Sequence, residues 1–553
     1  MVRKKWEVEW NSTMIINLTS EFADMKMKKV RAVPPAGEKV NLKDEVWKYK
    51  KYVCRAKLLD LTAGGKIVVL NEAEAHENDL YASHRVILKC GQMQEVAIID
   101  LSHDLVQRGE IMLFSEVLSE FDAKEGDRIE ILHMQRPDSI EFIKKKMEGK
   151  ELTEPEMNTI MQELMQNRLS EAELASFITS MYIRGMTPDE VVGLTNSVVA
   201  SGQTLQLDRS PICDKHCVGG VAGNRTTMVV VPIIAAAGLY IPKTSSRSIT
   251  SAAGTADTME TLCSVSLPLD DMRDVVRKAK GCIVWGGALR LASADDKLIK
   301  IRNPLSLDPE GVMLASILAK KKSVGAEYVV IDIPIGKGVK LANQADATRL
   351  ADQFISIGKR LGMKIEVLIT DGSEPIGLGV GPALECADVI QVLNNTGPAD
   401  LRDKSCRLAG EILEMAGKVK KGRGFDVASG LLDSGKAIAK FQEIVELQGG
   451  SRTLRLDDVP VAKHKHTVVA EANGRVYHID NRMISKIARA AGAPNDKVAG
   501  VKLLCERGDK VRRGDPLFEI HSDSETKLDF AIKALVGWEG VELEKTVLSR
   551  VDG

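Results

Sequence analysis

The period of the hydrophobic positions changes along the chain, and each change marks a part. From Val53 to about Leu132, short apolar runs (Lys66–Leu70, Val86–Leu88, Val96–Asp100) alternate with turns that contain Gly and Asp. Brief runs bounded by turn residues predict strands, so residues 51–134 read as a small N-terminal β-rich domain. Thr153, Ser170 and Thr187 are each followed three residues later by a glutamate (Glu156, Glu173, Glu190), and Pro188 occupies a first helical position. This is the capping box, in which side chain and backbone satisfy each other's donors at a helix start. Three consecutive helices are therefore predicted. Leu174, Phe177, Ile178 and Met181 recur at helical spacing, so residues 135–208, with a returning segment at about 296–323, read as a packed helical domain.

Beyond residue 208 the pattern alternates. Strand-like runs such as Tyr328–Asp332 and Lys364–Ile369 are interleaved with helical ones, which predicts a large α/β domain (209–452) around a mainly parallel sheet. The run Thr226–Gly238 is apolar all round and ends in glycine, as a buried helix would. After Gly449-Gly450 short strand-like segments return, with a hairpin predicted at Asn473-Gly474 and a turn at Arg507–Gly514. Residues 453–553 thus read as a C-terminal β-rich α+β domain. Its pattern resembles barrel-sandwich modules of the lipoyl and biotinyl type, but it lacks the Met-Lys-Met tip that accepts a cofactor, so a structural or closure role is expected. Residues 1–50 are charged, contain Pro34-Pro35 and show no sustained apolar periodicity, and are expected to be a poorly ordered extension. The fold class is α/β multidomain.

Composition narrows the function. Lys and Arg (76) nearly balance Asp and Glu (77), so the whole chain has no bias toward nucleic acid or an anionic membrane, and any anion site must be local. Nine cysteines, an odd number, argue against a disulfide framework and for a reducing compartment. No apolar run resembles a signal peptide or reaches the length of a membrane span, so a cytoplasmic address is expected.

Candidate chemistry concentrates in two segments. Asp214-Lys-His-Cys-Val-Gly-Gly-Val-Ala-Gly-Asn224 leads into the predicted buried helix, and a glycine loop at a helix start presents unpaired N–H groups and the positive end of the dipole to an anion. A tight turn needing positive φ would use the same glycines. The second segment, Thr244–Thr255, sets six hydroxyls (Ser245, Ser246, Ser248, Thr250, Ser251, Thr255) around Arg247, a donor set suited to phosphate and ribose. Lys215 reads either as charge for a phosphate or as a solvated lysine. Cys213, His216 and Cys217 have no second ligand pair nearby, so a metal site is not expected.

Together these residues resemble the family of thymidine and pyrimidine-nucleoside phosphorylases, whose loops read Lys-His-Ser-x-Gly-Gly and Ser-x-Arg-x-x-x-x-Thr-Gly-Gly-Thr. The resemblance continues through Trp285-Gly-Gly-Ala288, Ala292-x-Ala-Asp-Asp296 and Leu314–Lys321, and covers roughly residues 136–553. It is closer to the branch acting on nucleoside 5′-monophosphates, because the N-terminal β domain also matches, as do Ser246-Arg-Ser-Ile-Thr-Ser251, Leu307-Asp-Pro-Glu-Gly311 and Gly336-Lys-Gly-Val-Lys340.

The resemblance implies phosphorolysis of nucleoside 5′-monophosphates, chiefly AMP, by inorganic phosphate to free base and ribose 1,5-bisphosphate. No metal or organic cofactor is implied, and the expected assembly is a homodimer or larger homo-oligomer. It implies Asp308 as proton donor, where pyrimidine enzymes carry a base-contacting arginine. Substrate contacts are implied at Gly220, Ser246, Arg247, Ser248, Ile249, Thr250, Ser251, Thr255, Ser316 and Lys340. An exposed aspartate, with a reference pKa of about 3.9, is ionised at neutral pH, so donation requires Asp308 to be buried against the base. From the residues alone, Asp308 reads rather as a helix N-cap ahead of Pro309. Cys217 replaces the loop serine and weakens or removes one hydroxyl contact to phosphate. The alternatives are a thymidine or pyrimidine-nucleoside phosphorylase, a phosphoribosyltransferase of shared architecture, and a non-catalytic nucleotide sensor.

Overall fold

The computed structural model describes residues 52–248, 251–289, 291–305, 307–535 and 540–544. The extension expected at 1–50 and the expected contacts Ile249 and Thr250 lie outside the described residues. Among the described residues no helix is long and apolar enough to cross a membrane.

The first apolar runs form a closed six-stranded barrel in the spatial order Tyr52–Leu58, Glu110–Leu113, Ile67–Asn71, Met93–Ser102, Arg85–Cys90, Arg128–His133. Closure pairs every strand edge, and alternate residues such as Val68, Leu70, Val86, Leu88 and Ile111 fill the interior.

The helical layer begins earlier than its capping signals indicate. Ser139–Met147 precedes the three foreseen helices Glu154–Met165, Glu171–Arg184 and Pro188–Ala200. Its N-cap, Asp138, makes no side-chain hydrogen bond to the helix start, so the capping signature is absent there. At the other three starts the box forms. Glu156, Glu173 and Glu190 accept the N–H of Thr153, Ser170 and Thr187 at 2.7, 2.6 and 2.9 Å. Ser293–Arg302 and Glu310–Ser323 return to this layer, the latter packing on Pro188–Ala200.

Three parallel strands lie in the order Lys364–Asp371, Tyr328–Ile335, Cys213–Cys217. A parallel bridge between Ile212 and Tyr240 connects them to the parallel pair Ile241–Ser245 and Gly281–Trp285. Because these strands run the same way, the loops after each of them emerge at one edge of the sheet, where open α/β folds bind ligands. The helical layer and the sheet share one core, which includes Phe177, Met181, Leu318, Ile331 and Phe354. A second core packs Met228, Ile233, Ile283, Leu413 and Phe441. The predicted apolar helix, Thr226–Ala236, is buried throughout the second core up to Ala235.

The C-terminal part contains two antiparallel sheets, and the hairpin expected at Asn473-Gly474 is not formed. His464–Val469 pairs with Pro516–Ser522, while Gly474–Ile479 pairs with Lys510–Val511 and Val541–Leu543 in the other sheet. Burial of Val476 and Ile479 in the C-terminal core decides this pairing over the local turn signal. A short strand from the α/β part, Gly379–Val380, joins the first of these sheets beside Gly500–Leu503.

Candidate active site

Strand Cys213–Cys217 ends in the glycine loop, and Gly219 and Gly220 hold φ values of 99° and 103°, a region that an L side chain rarely adopts. At Gly220 a second constraint applies, since a Cβ there would stand 2.9 Å from Val339 Cα and 3.0 Å from Lys340 N. The loop after Tyr328–Ile335 therefore packs directly on the glycine loop. Lys340 then extends its ammonium to within 3.0 Å of Asp308 Oδ2, and Arg302 lies 2.5 Å from Asp308 Oδ1. Contacts thus run without a break from Gly220 through Lys340 to Asp308.

The burial expected for Asp308 is not observed. Its side chain is 41% exposed and paired with two cations, because Pro309 and the helix Glu310–Ser323 hold it at the outer end of the helical layer. The N-cap position of that helix is Pro309, which sets aside the capping reading of Asp308.

Lys215 is the residue that the sequence left open. It is 1% exposed and thus not a solvated lysine. Its Nζ donates to Thr226 Oγ1 at 2.7 Å and to Thr227 Oγ1 at 3.4 Å, both on the first turn of helix Thr226–Ala236. Burial pushes its pKa below the ordinary lysine value. A desolvated ammonium, hydroxyls and a helix start are thus gathered beside the glycine loop, the donor set that an anion requires.

The strand also carries Asp214, fully buried between Lys321 (2.5 Å) and Lys243 (3.7 Å). Burial and these surrounding lysines hold His216 well below the usual histidine range, so its imidazole is neutral. Cys217 receives a hydrogen bond from Asn224 Nδ2 at 3.5 Å, and burial pushes its thiol up to about 11, leaving it protonated and a weaker hydrogen-bonding group than serine. Among the described residues no group of three or more His, Cys, Asp or Glu is placed to hold a metal ion.

The second segment folds back on itself. Asp257 Oδ2 accepts the N–H of Ser248 at 2.7 Å and of Gly254 at 2.9 Å, closing the loop after strand Ile241–Ser245. Arg247 is held by Glu260 (2.5 Å) and Asp257 (3.2 Å) and stacks over Trp285 at 4.8 Å. Ser246 is exposed, whereas Ser248, Ser251 and Thr255 are half-buried. Arg225, which the sequence reading missed, donates to Thr255 Oγ1 (3.0 Å) and Ala253 O (2.7 Å) and pairs with the buried Glu385. No local pattern could have indicated this, since Glu385 lies 160 residues away. Ser316, in helix Glu310–Ser323, donates to Asp295 at 2.7 Å beside Lys320, which also reaches Asp295 at 2.7 Å.

The Arg247 network has a pH signature. Hydrogen bonds from Arg247 and Lys497 hold Glu260 down at about 2, against 4.5 for a free glutamate. The unfolded chain therefore takes up this proton first, and the stability due to Glu260 is lost as pH falls from about 4.5 toward 2. Urea unfolding at pH 5 and pH 3 is expected to show a larger loss for the wild type than for Glu260→Gln. Equal losses would mean that the pair adds no acid sensitivity.

The family model described as glycosyl transferase family, helical bundle domain, matches residues 140–202, and that of its a/b domain matches 209–438. The model for the pyrimidine nucleoside phosphorylase C-terminal domain matches 475–537. An AMP phosphorylase of Thermococcus kodakarensis is 44% identical over 498 residues, covering 90% of this chain and 99% of that protein. The AMP phosphorylase of Pyrococcus furiosus is 43% identical over 90% of this chain and 99% of its own, and that of Methanosarcina barkeri 43% over 89% and 97%. A solved anthranilate phosphoribosyltransferase from Thermus thermophilus aligns with 56% of this chain and 99% of its own at 20% identity, with a TM-score of 0.49.

Proposed function

The chain belongs to the AMP phosphorylase family, and from that premise we propose which of its residues carry the cleavage of AMP by inorganic phosphate. Phosphate sits where Lys215, the Gly219-Gly220 backbone and the start of helix Thr226–Ala236 converge, with Ser245, Ser246 and Thr255 completing its shell. The nucleotide lies across Arg247–Ser251, Ser316 and Lys340. A phosphate oxygen forms the new bond to C1′ as the bond from C1′ to the base nitrogen breaks, and Asp308 gives its proton to the departing base. The products are free base and ribose 1,5-bisphosphate.

The observation that carries this reading is the unbroken line from the glycine loop to Asp308 through Lys340. Phosphate at the loop and a proton donor next to Lys340 would then flank the ribose of a bound nucleotide. Holding the anion there removes entropy from the barrier, and its charge balances the oxocarbenium character of the sugar. Lys340 is assigned to the 5′-phosphate. When substrate phosphate takes its ammonium, Asp308 loses one of its two partners and is released toward the base, and burial against the base then raises its pKa so that it takes up the proton it donates.

The free thiols of all nine cysteines support a reducing, cytoplasmic setting, and the active form is taken to be a homo-oligomer. The deciding experiment is adenine release from AMP with and without inorganic phosphate. Release that requires phosphate is expected, with AMP preferred over adenosine because Lys340 has a phosphate to bind. Release of base from thymidine but not from AMP would select the pyrimidine-nucleoside alternative.

A further inference from the structure

We propose that the C-terminal domain is a positioning part of the active site, in which helix Asn481–Ala490 sets the substrate loops in register through Asn481 and Arg482. The proposal rests on the assignment of those loops to phosphate and nucleotide given above. Asn481 is 1% exposed, and its amide is fully committed to the α/β part. Oδ1 accepts the N–H of Ala222 in the glycine loop at 2.9 Å, and Nδ2 donates to Gly372 O, just beyond strand Lys364–Asp371, at 2.9 Å. Its neighbour Arg482 donates from Nε to Gly338 O at 3.1 Å, in the loop that carries Lys340. At the far end of the helix, Arg489 donates to Ser251 O at 3.1 Å.

Apolar packing follows the same lines. Ala222 and Ala252, from the two substrate segments, are buried in the C-terminal core with Met483, Ile484 and Ile487 of this helix. Farther along, Lys497 pairs with Glu260 at 2.7 Å, the carboxylate that holds Arg247. One rigid element therefore reaches the glycine loop, the lysine loop and the Ser/Thr loop. Loops fixed to a common support keep their mutual geometry, so the entropy of ordering them is spent in folding rather than at the reaction.

The two residues address different loops, which gives a readout that simple loss of stability would not produce. Asn481→Ala strips a buried N–H of the glycine loop of its partner, and KM for inorganic phosphate is expected to rise roughly tenfold or more. Arg482→Ala, on the exposed side of the helix, is expected to raise KM for AMP several-fold and leave KM for phosphate near wild type. Arg482→Lys keeps a donor toward Gly338 O and is expected to recover most of that loss. Should Asn481→Ala fail to fold, the Arg482 pair decides alone.

Lower melting temperatures with both KM values unmoved would overturn the proposal and leave the helix as interdomain packing. A wild-type enzyme that releases no adenine from AMP with phosphate would instead overturn the assignment of the loops. The two failures are thus separate.

Discussion

Asparagine in place of Asp308 is expected to lower kcat for phosphate-dependent adenine release by roughly two to four orders of magnitude, the usual contribution of a positioned proton donor. The amide has the size of the carboxyl group but cannot supply the proton that the leaving base requires. Little else should change. Asp308 is 41% exposed, and its pairs with Arg302 and Lys340 lie at the surface, where each is worth about 0–1 kcal/mol. The melting temperature is therefore expected to stay near that of the wild type, and KM for phosphate, which the proposal assigns to the glycine loop, to move by no more than a few-fold. Steady-state release of adenine together with a thermal melt checks both. A variant within threefold of wild-type kcat would remove Asp308 from the mechanism and return the question of which group protonates the base.

Lys215→Met is expected to separate stability from activity. The ammonium is fully desolvated, meets only the hydroxyls of Thr226 and Thr227, and is placed in no ion pair with a carboxylate among the described residues. Methionine fills a similar volume without burying a charge, so folding is expected to be as stable as wild type or more so. Catalysis is expected to move the other way. Removing one preorganised donor from an anion that develops its interaction in the transition state costs about a hundred- to a thousandfold. The loss should appear in kcat/KM for phosphate.

A pH signature accompanies this effect. Burial lowers the pKa of Lys215, so below the free-lysine value of 10.5 the unfolded chain binds this proton more tightly than the folded chain does. Wild-type stability should gain from this group as pH rises toward 10.5, and Lys215→Met should lack that gain. Denaturant unfolding between pH 7 and 10, run beside the kinetics, measures it. A variant that is less stable and still phosphate-dependent would mean that Lys215 is structural.

Local signals account for much of this molecule. The glutamates at 156, 173 and 190 located three helix starts because a capping box is satisfied within four residues, whatever surrounds it. Alternation of apolar runs with helical stretches predicted the α/β class, because a parallel sheet needs crossovers, and the apolar run at 226–238 predicted a buried helix. The glycine loop and the hydroxyl cluster around Arg247 were likewise recognisable, since their donors lie close together in the chain.

Contacts between distant residues were not legible. The sequence could not tell that Lys215 would be buried, that Asp308 would stay exposed between Arg302 and Lys340, or that Asn473-Gly474 would bridge two sheets. In each case the outcome depends on which surface the rest of the fold brings up, and burial or long-range pairing outweighs the local preference.

The sequence by itself determined the kind of residues gathered there, a glycine loop with a hydroxyl-rich partner, because backbone freedom and donor type are properties of neighbouring residues. Only the tertiary structure decided that Lys340 would join that loop to Asp308, and that Asn481, 259 residues beyond Ala222, would hold it. A buried amide or ammonium takes its role from partners that only the folded chain assembles.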